Sequence, residues 1–164
     1  DQPYPVVFIS FPSAKDPSWD KNHPNTSTIE VITIAEFSKH KKWENKEWKN
    51  RGGEYEEFKE SISKNLLDVL YQKSPETNGH VDYYELSTPL TSRDLANYKE
   101  GELYGINHTP VRFSQKWLKP QTPIKNLYLT GQDIVTAGVS AALMSGVITS
   151  SSILKRNLMK QFLK

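Results

Sequence analysis

Asn126-Leu127-Tyr128-Leu129-Thr130-Gly131-Gln132-Asp133, running on into Ile134-Val135-Thr136-Ala137-Gly138-Val139-Ser140, carries the strongest architectural signal in this chain. The apolar and β-branched run 126–130 predicts a compact strand, and Gly131 punctuates it. Ala, Gly and Ser then dominate up to the cations Lys155 and Arg156. The order is strand, glycine turn and small-residue helix, with positive charge near the helix C-terminus, where the dipole favours it. A helix whose first turn is Thr136-Ala137-Gly138-Val139-Ser140 leaves its leading N–H groups without intrahelical partners. Small side chains there let a phosphate or a carbonyl-rich ring edge approach closely. Gly138, Ala142, Ser145 and Gly146 extend this face over two turns. The same pattern also suits tight helix–helix packing, or a membrane dimer face of the small-xxx-small kind, and spacing alone leaves these uses open.

Working outward, Val6-Val7-Phe8-Ile9 lies between Pro5 and Pro12, and a longer β-branched run covers 27–34; both predict strands. The residues 13–20 between them predict a loop, with Trp19 as a packing anchor. Phe58, Ile62, Leu66, Leu67, Leu70 and Tyr71 recur at helical spacing and predict an amphipathic helix over 54–71, ending near Ser74-Pro75. Glu54, Glu56, Glu57 and Glu60 at its start suit the positive end of the dipole. Alternation over 81–86 predicts a half-buried strand, and a short helix is expected through Asp94 to Tyr98. Trp43 and Trp48, within the charged stretch 39–51, are read as core packing, the competing use being a surface segment that touches lipid or a partner.

The chain has 164 residues, the length of one domain, and is 36% hydrophobic and 24% charged, so it is expected to fold. A net charge of +2 with interleaved signs argues against nucleic acid as a partner. The absence of cysteine excludes disulfides and thiolate chemistry. His23, His40, His80 and His108 lack the short spacings of zinc motifs, so no metal site is assigned. No G-x-S-x-G elbow supports hydrolase chemistry. Residues 134–154 carry no charge over 21 positions, enough to span a bilayer, but two Gly and seven Ser or Thr dilute their apolar character. The start at Asp1, with neither Met nor a targeting segment, leads to the expectation of a piece of a longer chain.

The run 126–133, followed by Gly138-Val139-Ser140-Ala141-Ala142 and Ser145-Gly146, resembles the C-terminal FAD motif of the phytoene desaturase, carotenoid isomerase and retinol saturase family of flavin-dependent oxidoreductases. Upstream, Thr88-Pro89-Leu90-Thr91 and Gly101-Glu102-Leu103-Tyr104-Gly105 resemble that family's threonine-proline and glycine-x-tyrosine-glycine segments. The resemblance implies an α+β fold. Its substrate-side region, 1–110, would hold a mixed or antiparallel sheet; 111–164 would supply the C-terminal strand and helix of an incomplete Rossmann-like FAD-binding domain. Gly131, Gln132 and Asp133 would form the turn, while Gly138, Val139 and Ser140 would offer backbone groups to the flavin. Tyr104 is read either as a flavin neighbour or as a turn aromatic.

The implied chemistry is hydride exchange between FAD and a carbon–carbon double bond of an apolar polyene, with NAD(P)H as a candidate electron donor. Such a substrate implies proximity to a membrane, with peripheral contact. No catalytic residue is assigned. Two departures from the family pattern stand out. Gln132 occupies the place where many relatives carry an acidic side chain, with Asp133 one residue later. None of the eight glycines forms G-x-G-x-x-G, so the adenine side of the cofactor is expected from a missing N-terminal half, and this chain alone should bind FAD weakly or not at all. The alternative is a noncatalytic domain that docks on a partner or a membrane.

Overall fold

The computed structural model describes residues 4–162. The chain divides into two compact units, Asp1–Gly101 and Glu102–Lys164, where the expected division lay at 110/111.

In the first unit, β1 (Val7–Ser10) and β2 (Glu30–Thr33) form an antiparallel ribbon, in register from Val7 opposite Thr33 to Ser10 opposite Glu30. β-Branched and aromatic side chains favour this pleated geometry. The Thr33 hydroxyl extends the pairing by donating to the Val6 carbonyl at 2.7 Å. The connection expected as a loop contains a 3-10 turn, Ser13–Lys15, and the single-turn helix α1 (Trp19–Asn22). Trp19, expected as a packing anchor, is only half-buried and lies outside the core; its indole N–H donates to the Thr26 carbonyl at 2.7 Å.

Two further 3-10 turns, Phe37–Lys39 and Lys41–Trp43, carry Trp43 into the core beside α2 (Gly53–Lys73). Trp43, Tyr55 and Leu90 are buried together, with Phe37 and Phe58 packed against them. Farther along α2, Leu66, Val69 and Leu70 are buried as the apolar stripe requires. Trp43 is thus a core residue, whereas Trp48 remains exposed. Lys42 pairs with Glu54 at the start of α2, where acidic groups meet the positive dipole end.

α3 (Pro89–Ala96) begins five residues before the expected position and stops at Asn97 in a left-handed conformation. Thr88 and Thr91 form a reciprocal capping box and Pro89 occupies the first turn, so the Thr-Pro pair is the start signal. The Thr88 hydroxyl also meets Tyr55 Oη at 2.7 Å, fastening the start of α3 to α2, and Arg51, just ahead of α2, pairs with Asp94. Residues 81–86 form no strand. Alternation supplies two faces but not a neighbouring backbone, and without a hydrogen-bonding partner an extended segment builds no ladder. Tyr84 instead donates to Glu60 on α2 at 2.8 Å.

The second unit holds α4 (Pro110–Phe113), a 3-10 turn over Gln132–Ile134, α5 (Val139–Leu154) and α6 (Met159–Phe162). The expected strand 126–130 is reduced to one bridge, Tyr128 opposite Gln121, with the Leu129 N–H donating to the Pro120 carbonyl at 2.8 Å. α5 starts three residues later than expected, because Gly138 breaks the helical conformation with φ 110°. It runs for 16 residues, and no helix among the described residues is long and apolar enough to cross a membrane. The buried residues described in this unit are Arg112, Ser145 and Thr149, all polar. Val139 and Leu143 are 88% and 74% exposed, and Val111, Phe113 and Trp117 also face outward.

Candidate functional site

The six residues singled out at the glycine turn and helix start lie together in the second unit. Gly131 stands at φ 99°, and its N–H donates to the Ser145 hydroxyl at 2.6 Å. That hydroxyl donates in turn to the Ala142 carbonyl at 2.7 Å, and Thr149, one turn along α5, donates to the Leu129 carbonyl at 2.8 Å. Part of the small-residue face of α5 therefore holds the chain's own segment 129–131.

Gln132 and Asp133 give their backbone carbonyls to one guanidinium, that of Arg112, at 3.0 and 3.1 Å. Arg112 reaches them from α4, whose start is capped by the Thr109 hydroxyl. The Asp133 carboxylate turns toward the protein, accepting the Ile106 N–H at 2.9 Å. Gly105 makes room for it: a Cβ there would lie 2.2 Å from Asp133 Oδ1. The Gln132 side chain, in contrast, has no hydrogen bond among the described residues.

Beyond the 3-10 turn, the Ala137 N–H donates to His108 Nε2 at 2.8 Å. The imidazole Nε2 is thus the acceptor that ties down the segment just before α5. Gly138 follows as a cap without a side chain, and a Cβ added there would meet nothing within 4 Å. The first amide to bond is that of Ala142, to the Gly138 carbonyl at 3.0 Å. The N–H groups of Val139, Ser140 and Ala141 therefore have no helical partner, and they sit at the positive end of a 16-residue dipole. The surroundings are small and open, with Gly138, Val139 and Ser140 all exposed. Such an end can accept an anion or an electron-rich ring edge. A shallow recess of about 460 Å³, lined by Ile148, Ser151, Lys155 and Arg156 among others, lies at the opposite end of α5.

Arg112 and His108 were not singled out from the sequence as parts of this site. Thr109-Pro110 announces a helix start, but nothing local says that a guanidinium two residues on will reach the carbonyls at 132 and 133.

No family model matches the chain, and no solved structure matches it. Among curated proteins, an all-trans-retinol 13,14-reductase of Danio rerio is 36% identical over 157 residues, which is 94% of this chain and 26% of that protein. The protein of the same name from Rattus norvegicus is 38% identical over the same shares. A Danio rerio protein named an inactive all-trans-retinol 13,14-reductase is 34% identical, again over 94% of this chain and 26% of the relative. The chain thus spans about a quarter of the length of the curated relatives it matches. Within that span, over nearly its whole length, the chain is similar to all-trans-retinol 13,14-reductases.

Proposed function

We propose that this chain is the C-terminal part of a flavin-dependent oxidoreductase acting on a carbon–carbon double bond of an apolar polyene of the retinoid kind. The observation that carries the cofactor reading is the free N-terminus of α5, placed directly after the Gly131 turn and left open by Gly138. The names of the relatives support the substrate class, since two of them are reductases of all-trans-retinol.

The residues present fit a flavin nucleotide in chemical kind. Backbone donors at Val139 and Ser140 suit a carbonyl-bearing ring edge, and the Gln132 amide suits the hydroxyls of a ribityl chain. When bound, the flavin supplies reversible two-electron chemistry, taking up or giving a hydride. This chain's part is electrostatic and steric: the positive end of α5 favours negative charge developing on a reduced ring, and the small side chains permit close contact. Gly131, Gln132 and Asp133 hold the turn, with the Asp133 carboxylate serving as an internal brace. His108 and Asp133 are both tied to backbone amides, so neither is assigned a proton-transfer role.

In this reading 126–154 are the last strand and helix of a Rossmann-like domain whose adenine side comes from the rest of the protein. The outward-facing Val139, Leu143 and Trp117 support it, because a unit whose described residues bury no apolar side chain needs a larger partner surface to cover it. NAD(P)H is the proposed electron donor, and the apolar substrate brings the enzyme to a membrane surface by peripheral contact. A second reading, a noncatalytic interaction domain, is favoured by the relative named as inactive.

Conversion separates the two. Full-length protein carrying this segment, given FAD, NAD(P)H and all-trans-retinol, should add two hydrogens to the polyene and blue-shift its absorbance. Unchanged retinol in the presence of bound flavin would leave the noncatalytic reading.

A further inference from the structure

We propose that Arg112 is a positioning residue that sets which backbone groups the Gly131–Asp133 turn presents, making it a donor surface for an anionic ligand group. This rests on the flavin reading above and adds to it a residue that the motif does not contain.

Arg112 is 5% exposed, and its guanidinium donates to the carbonyls of Ile106 at 3.0 Å, Gln132 at 3.0 Å and Asp133 at 3.1 Å. A trans peptide directs its N–H opposite to its C=O, and no cis peptide occurs among the described residues. Drawing the Gln132 and Asp133 carbonyls onto the guanidinium therefore turns the N–H groups of Asp133 and Ile134 away from it. The Ile134 N–H closes the 3-10 turn on the Gly131 carbonyl at 3.2 Å, which leaves the Asp133 N–H as the donor on the ligand's side. Without Arg112 the Gln132 carbonyl would keep only the Val135 N–H at 3.2 Å, and the Asp133 carbonyl would lose its anchor and could rotate outward to repel an anion.

A planar, forked group is required. Three carbonyls from two separate segments converge on one side chain, which a guanidinium can satisfy from two nitrogens and a lysine ammonium cannot match in geometry. The hydrogen bonds of Arg112 end on carbonyl oxygens, and its Nε is buried with no partner. Its positive charge is thus placed behind the turn in support of the α5 dipole end.

The test uses the full-length protein that carries this segment. Arg112→Met and Arg112→Lys are compared with wild type by fluorescence titration with FAD, alongside circular dichroism and Tm. Arg112→Met should raise the Kd for FAD by about tenfold or more, the loss expected for charge-assisted hydrogen bonds, with Arg112→Lys between. Leu70→Ala, remote in kind, should lower Tm and leave Kd alone. Equal Kd values for wild type and Arg112→Met would overturn the role of Arg112 while the flavin reading stood; a wild type that binds no FAD would overturn both. Hydrogen exchange on the wild type gives a reading even if Arg112→Met does not fold. FAD should protect 106–112 together with 131–138, and protection of 131–138 alone would overturn the inference.

Discussion

At Gly105 the backbone stands at φ 66°, and the site of an added Cβ lies 2.2 Å from Asp133 Oδ1. Gly105→Ala therefore combines a left-handed backbone penalty with the displacement of a carboxylate that braces the turn. It should cost about 1–3 kcal/mol, read as a lower urea midpoint at unchanged m-value. A midpoint equal to wild type would mean that Asp133 moves aside freely. His40 offers a second test at this scale. Burial holds its pKa below the ordinary imidazole value, against the opposing effect of its hydrogen bond to the Glu36 carbonyl, and Lys39 pushes it the same way as burial. The unfolded chain therefore binds a proton that the folded chain resists. Stability is full above the unfolded-state value of about 6.5 and declines as pH falls through it toward the lower folded value. Denaturation midpoints should drop over that window, and His40→Phe should flatten the profile; an unchanged slope would refute the assignment. Gly105 and Asp133 were both visible as motif letters in the sequence. Their contact, 28 positions apart, was not, because it depends on how two loops fold back.

The elements differ in how far local sequence determines them. The helix expected over 54–71 is present as α2, Gly53–Lys73, because its apolar period needs only a core to face. The ribbon of β1 and β2 was likewise legible from two β-branched runs. The expected strands at 81–86 and 126–130 were not realised as ladders, since strand formation is a property of pairs and neither run carries its partner in its own composition. α3 starts at Pro89 and not near Asp94 because the Thr88-Pro89 pair, with Thr91 closing the capping box, nucleates it ahead of the residues that follow. That signal has a measurable weight. Thr88→Ala removes one half of the capping box and leaves Tyr55 Oη without its hydroxyl partner, so it should cost about 1–2 kcal/mol. Leu70→Ala, in the buried face of α2, should cost about 2–5 kcal/mol. A thermal melt in which Thr88→Ala proves the more damaging would reverse this ordering of cap and core.

The two units contrast in what they bury. The first closes Trp43, Tyr55, Leu66, Leu70 and Leu90 away from water, whereas the described residues of the second bury only Arg112, Ser145 and Thr149. Apolar burial drives cooperative folding, so residues 1–101 expressed alone should melt cooperatively and residues 102–164 should not. A sharp transition from 102–164 alone would show that its polar braces suffice. The same contrast explains the limits of legibility at this scale: the motif letters gave the expectation of a cofactor-binding half, but no local pattern says what would cover the outward-facing Val139, Leu143 and Trp117. Most direct for the central claim is the absorbance spectrum of the full-length protein as purified, beside its Gly138→Leu variant. Flavin bands in the wild type that are lost in the variant, with circular dichroism unchanged, are the predicted result. A colourless wild type that also fails to take up added FAD would contradict it.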